Sequence, residues 1–204
     1  SFGVEPEASE AEVRAMMAVR LNCLLLGYTG IQPAVARRYA ELLNAGLHPV
    51  VPEKGSVGEG DLTPLAHIGL VMIGEGEANY KGRRMSSSEA HKLAGLDPVV
   101  LGPKDGLAIV SSSAFSAGEA ALAIKELREL VDMGDIISCL SLEGFNGNTS
   151  PIEAGVMAAR KMEGQAKSAE RMREYLAGSD IYGTYPGKPV QDPLCFRGAA
   201  YING

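Results

Sequence analysis

Apolar residues recur three and four positions apart at Val13, Met16, Met17, Leu21, Leu24 and Leu25, a spacing that lines one face of a helix. Ser9 followed by Glu12 is a capping-box pair ahead of that run, and Gly27 is placed to stop it. Pro33, at a first-turn position, opens a second helix with Val35, Tyr39, Leu42 and Leu43 on one face and Gly46 as its stop. The two are expected to form a helical hairpin.

From His48 to Pro64 the periodicity lapses, and Pro49, Pro52, Gly55, Gly58 and Gly60 predict an ordered loop. A short apolar helix is expected over Leu65 to Ile73, followed by a β-hairpin near Asn79 to Met85 that turns at Lys81-Gly82. Leu127, Leu130, Val131, Ile137 and Leu140 mark one long helix from about Ala114 to Leu142. Ser150-Pro151-Ile152-Glu153 combines a capping box with a first-turn proline and predicts another, running unbroken to about Leu176. Its apolar stripe is Ile152, Ala159, Met162, Ala166, Ala169 and Met172. Helices of this length suggest a bundle that extends beyond the chain or is shared between subunits. The segment 178–204, rich in Gly, Pro and Tyr, is expected to carry no terminating helix and reads as interrupted rather than finished. The expectation is a mainly α chain, a partial core of one larger domain over 1–204. It has a loop and hairpin region near 48–103 and long helices near 114–176.

Composition supports that class: 46% hydrophobic residues with only 5% aromatic and no Trp suits closely packed helices. A formal net charge of -6 argues against a nucleic-acid or membrane partner, which would call for clustered Lys and Arg. The apolar run near Leu21 to Leu26 is too short to span a bilayer, and no export signal is legible, so the expected setting is the cytoplasm. Cys23, Cys139 and Cys195 lack the spacing of a disulfide or zinc framework, and each is read as a small buried hydrophobe. His48, His67 and His91 share no ligand spacing, so no metal is assigned; His67 is expected as a hydrogen-bonded core imidazole.

One stretch is far more specific. His48-Pro-Val-Val-Pro52, Gly55-Ser-Val-Gly58 and Asp61-Leu62-Thr-Pro64-Leu-Ala-His67 closely resemble the signature region of the histidine and aromatic amino acid ammonia-lyases. The likeness continues through Asn44-Ala-Gly46, Gly102-Pro-Lys104-Asp105-Gly106, Leu140-Ser-Leu-Glu143 and Gln191-Asp192-Pro193 with Arg197. The resemblance implies a long-helix bundle, a homotetramer whose active sites draw on several subunits, and non-oxidative loss of ammonia from a small-molecule substrate, L-histidine or an aromatic L-amino acid. It also implies a self-made electrophile: an Ala-Ser-Gly triad that cyclises and dehydrates to a methylidene-imidazolone.

That triad is missing. Gly58-Glu59-Gly60-Asp61 stands where the family reads Gly-Ala-Ser-Gly-Asp, so one position and the essential Ser are gone, and Ser56 is followed by the branched Val57 rather than Gly. No methylidene-imidazolone is expected from this sequence. Ser111 replaces the family's Asn that supports the electrophile, and Leu194 stands where many members carry an active-site Tyr. Arg197 matches the arginine that pairs with the substrate carboxylate, a task suited to a planar guanidinium. The candidate site is therefore Glu59, Gly60 and Ser111 for chemistry, with Arg197 and Leu194 for substrate binding. Asp61 is expected to cap the helix that follows it, Glu59 to be a solvated or catalytic loop carboxylate, and Lys104 to be structural. Two functions remain open at this point: an ammonia-lyase-like enzyme, or an inactive homologue that binds a ligand or assists assembly.

Overall fold

A computed structural model describes residues 3–183, 187 and 189–204. The chain is mainly α and divides into two units, Ser1–Ala123 and Ile124–Gly204.

The first unit opens with β1 (Val4–Glu7), α1 (Glu10–Leu25) and α2 (Pro33–Ala45). The predicted capping box is present: Glu12 N donates to Ser9 Oγ at 3.3 Å, and Ser9 N donates to Glu12 Oε2 at 2.6 Å. The buried face of α1 is Val13, Met16, Met17, Arg20 and Leu24, while Leu25, expected inside, is 72% exposed. The true stripe is rotated by one position and takes in an arginine. Gly46 ends α2 in the left-handed conformation, and the two helices pack as the expected hairpin.

Next come β2 (Leu47–Pro49), β3 (Pro52–Lys54), α3 (Leu62–Met72), β4 (Glu77–Tyr80), β5 (Arg83–Ser86), α4 (Ser87–Ala94) and α5 (Asp105–Val110). Two short strands thus stand inside the segment expected to be loop. The prolines are tolerated because β2 is an edge strand on β4, and β3 belongs to a two-stranded pair with β1, where each strand has a free side. The hairpin β4–β5 forms as predicted, with Lys81 and Gly82 both at positive φ, 51° and 74°. Helix α3 begins three residues earlier than expected, because Pro64 fits within a first turn. A core of Met16, Met17, Tyr39, Leu42, Leu65, Ile68 and Met72 closes the unit.

The boundary between units falls within α6 (Ala114–Phe145), the single long helix that periodicity predicted. Within the first unit α6 comes so near α1 that a side chain at Gly118 would begin 2.8 Å from Met16 N.

The second unit continues with a 3-10 turn (Ser150–Ile152), α7 (Ala154–Arg160), α8 (Glu163–Tyr175), α9 (Leu194–Arg197) and α10 (Ala199–Asn203). The unbroken helix expected from Ser150 to Leu176 is three pieces, interrupted where Lys161 takes φ 55°, and Met162 is 58% exposed rather than on the stripe. The last segment, expected to lack a helix, holds two short ones. Ile152, Met157, Ala169, Met172 and Leu176 form the core. Asp135, fully buried, accepts from Ser168 Oγ at 2.6 Å, Arg171 Nε at 2.9 Å and Asn203 Nδ2 at 2.9 Å, so its charge is offset by a cation and two dipoles.

The stretch Asp105–Phe145 is long and apolar enough to cross a membrane by length and composition alone, a test that the core helix of a soluble protein also passes.

Candidate functional site

The loop from Gly55 to Asp61 follows β3 and enters α3. Its shape is set by Gly58 and Gly60, at φ 82° and 86°, which L side chains adopt only with strain. Asp61 holds the loop at its far end. The carboxylate does not cap α3, as local sequence suggested; no side-chain cap bond forms there. It accepts instead from Ser56 Oγ at 2.7 Å, from Ser116 Oγ at 2.9 Å and from Ser116 N at 2.9 Å. Ser116 is the third residue of α6, so Asp61 caps the long helix from across the loop. Asp61 N donates to Ser112 O at 2.7 Å, which fastens the loop to the segment after α5.

The loop is thus brought against Ser112, the neighbour of Ser111. A side chain at Gly60 would begin 3.8 Å from Ser112 O, and Ser111 ends α5 with its N–H bonded to Leu107 O. Glu59, between the two glycines, is exposed and has no hydrogen-bond or ion-pair partner among the described residues.

The residues present do not fit the electrophile of this family. Cyclisation requires a Ser with a following Gly whose amide can attack, and Glu59-Gly60 offers no hydroxyl. Ser56, the nearest alternative, commits its hydroxyl to Asp61 and precedes Val57.

Leu194 and Arg197 lie in the second unit. Leu194 starts α9 and is 71% exposed. Arg197 is half-buried; its Nε donates to Asp192 O at 2.7 Å, and Gln191 Oε1 accepts from both terminal nitrogens at 2.8 Å with the amide oriented to suit them. Asp192 is in turn anchored, accepting from Asn148 N at 2.5 Å. The guanidinium is held in place by neutral acceptors and has no carboxylate partner among the described residues, which leaves its charge for a ligand. With Arg160, Gln165 and Tyr201 it lines a cavity of about 160 Å³.

Some contributors were not singled out in the sequence. Asp105, fully buried, accepts from Gln32 N at 2.9 Å, Gln32 Nε2 at 2.6 Å and Gly102 N at 2.8 Å. Burial works to raise its pKa, but these hydrogen bonds outweigh it and hold the carboxyl below its usual range. Arg20 was missed although its register was legible: it falls three residues after Met17 and four before Leu24, on the buried stripe itself.

The remaining assignments divide. His48 is buried with Nε2 3.0 Å from Glu10, and His91 is buried with Nδ1 2.9 Å from Ser87 O. His67 is half-buried, burial lowering its pKa, with no hydrogen-bond partner among the described residues. Cys139 is buried, its Sγ donating to Met172 O, but Cys195 is exposed, contrary to expectation.

Comparison with known proteins agrees with the motif. The aromatic amino acid lyase family model matches residues 1–204. Histidine ammonia-lyase of Geobacillus kaustophilus is 41% identical over 201 residues, 98% of this chain and 40% of that protein. Among solved structures, the ergothioneine-degrading enzyme ergothionase of Treponema denticola, in complex with desmethyl-ergothioneine sulfonic acid, superposes with a TM-score of 0.93 at 46% identity, covering 99% of this chain and 41% of that one. Histidine ammonia-lyase of Trypanosoma cruzi gives 0.86 at 27% identity, covering 99% of this chain and 37% of that one. The chain therefore spans about 40% of the length of the relatives it matches.

Proposed function

We propose, because this chain belongs to the aromatic amino acid lyase family, that the protein is an elimination lyase, one that works without a methylidene-imidazolone on a histidine-type betaine. The observation that carries this reading is the loop Gly58-Glu59-Gly60-Asp61, which keeps the flanking Gly and Asp of the family's motif but is one residue shorter and lacks the Ser from which the electrophile forms.

The chemistry explains why the substrate should differ. In an ordinary amino acid the α-ammonium protons are far more acidic than the β-carbon proton, so a base takes the wrong proton first and spoils the leaving group. An electrophile that draws electrons from the substrate is one remedy. A quaternary nitrogen is another: it has no N–H to lose. A base then removes the β-proton, the C–H pair forms the double bond, and the C–N pair departs with a neutral tertiary amine. Ergothioneine, with three methyl groups on its α-nitrogen, is such a betaine, and the 46% identity to the enzyme that degrades it supports this class over histidine itself.

In this reading Arg197, by its place in the motif, is the residue for the substrate carboxylate, and Glu59, by its place in the loop, is a counter-charge for a quaternary cation, which offers no proton to donate; the resemblance implies active sites drawn from several subunits, so the two roles need not be met within one chain. Leu194 gives methyl groups an apolar neighbour where a hydroxyl would not. Ser111 lines the site where an electrophile no longer needs an amide. The protein works as a homo-oligomer, a tetramer by family resemblance, in the cytoplasm.

The test is to incubate the native full-length protein with ergothioneine and, separately, with L-histidine. Tertiary amine and an α,β-unsaturated acid are expected from the first and no ammonia from the second. Ammonia from histidine, together with a mass two waters below sequence in a peptide spanning Lys54 to His67, would sink the proposal. Release of neither amine would favour a binding or assembly role.

A further inference from the structure

The cavity bounded by Arg20 and Lys104 contains two cations and, among the described residues, no carboxylate. Arg20 reaches it from the buried stripe of α1, and Thr29, Leu107, Ala108 and Ser111 complete a space of about 230 Å³. Arg20 is 5% exposed; one terminal nitrogen donates to Ala108 O, while Nε is buried with no acceptor. Neither cation forms an ion pair among the described residues.

A buried guanidinium whose donors are only partly met is costly, and the usual remedy is an anion close by. The described residues supply none beside Arg20. Tyr39, near Arg20, is no substitute: burial drives its phenol far above the ordinary range, against the pull of Arg20, so it stays neutral. Lys104, although exposed, lines the same cavity. Its Nζ lies 3.0 Å from the point where a side chain at Gly30 would begin, so the glycine, at φ 70°, clears room for the ammonium. Lys104, the residue before α5, adopts φ 74°, a left-handed backbone that non-glycine residues rarely take.

We infer that this cavity is a binding site for a small oxyanion of the phosphate or carboxylate class. The guanidinium of Arg20 and the ammonium of Lys104 provide charge, and the hydroxyls of Thr29 and Ser111 provide further donors. The site shares Ser111 with the lyase reading without resting on it, and it abuts the loop: Ser111 directly precedes Ser112, whose carbonyl accepts from the Asp61 N–H. Occupancy therefore stiffens the segment to which the Gly58–Asp61 loop is fastened.

The experiment follows inorganic phosphate by phosphorus NMR as it binds the native full-length protein, with ionic strength held constant by chloride. Saturable binding is expected, weakened roughly tenfold by Lys104→Gln, which removes one charged contact. Should Lys104→Gln fail to fold, Thr29→Val decides, with an expected loss of roughly threefold. Acetate displacing the phosphate would extend the class to carboxylates, and acetate without effect would confine it to phosphates. Absence of saturable phosphate binding to the unaltered protein, or equal binding by the folded variants, would overturn the inference.

Discussion

At the scale of single residues, Asp61 marks how far local sequence reasoning reaches. Its position before an apolar run predicts a cap on α3, and it does stand at that helix's start. Its carboxylate is instead claimed by Ser116, 55 residues on, because a hydroxyl and a helical N–H together outcompete one local amide. A partner so distant leaves no mark near Asp61 in the sequence. Asp61→Ala strands those donors and is expected to cost about 2–4 kcal/mol, read as a fall in the denaturant midpoint; Asp61→Asn, which keeps an acceptor, should cost less. His48 carries a pH-dependent term. Burial, aided by Arg14 and opposed by Glu10, holds the imidazole below its ordinary value of 6.5. The folded state therefore binds fewer protons than the unfolded chain just below that pH. Stability contributed by neutral His48 is present above pH 6.5 and is lost as the pH falls through the lower folded value. Unfolding free energy measured between pH 7 and 5 should decline less steeply in His48→Gln, and an unchanged slope would refute this assignment.

Among elements, legibility followed the chemistry of the stops. The Ser9–Glu12 box, the left-handed Gly46 and the Lys81-Gly82 turn each announce themselves through a residue type with one preferred job, and each appears where expected. The break between α7 and α8 does not, because the residue that takes the left-handed conformation is Lys161, which no propensity marks as a stop. The short helices α9 and α10 escape for a related reason: four or five residues are too few to reveal a period. The same contrast makes the hairpin turn a clean place for a test. Gly82 sits at φ 74° with open space around it, so Gly82→Val adds backbone strain without a clash. A cost of about 1–2 kcal/mol is expected, with faster amide exchange confined to β4 and β5. Exchange that accelerates equally throughout the chain would show instead that the hairpin does not open as a local unit.

On the scale of the whole molecule, the part of α6 in the second unit leaves more apolar surface than that unit covers. Leu127, Leu130, Met133, Ile137 and Leu140 share one broad face and are between 52% and 67% exposed. Isolated exposed leucines need no explanation, but a continuous row of five along one helix does. Two kinds of cover are open to it: further chain, since the relatives are more than twice as long, or other copies of the protein. The sequence made the row visible through its periodicity, yet could not say what meets it, because a stripe that faces a neighbouring subunit is written in the same residues as one that faces the core. The apolar row and the family resemblance together favour assembly. Leu130→Glu combined with Ile137→Glu places two charges on that face, where burial without partners is costly. In sedimentation the native full-length protein should run as an oligomer, and the double variant should shift to smaller species while its helical circular dichroism is retained. A monomer before mutation would remove the need for a partner copy and leave the face to the rest of the chain. Loss of helical signal together with assembly would mean that the row belongs to the fold of a single copy, and the oligomer would then have to be held by another surface.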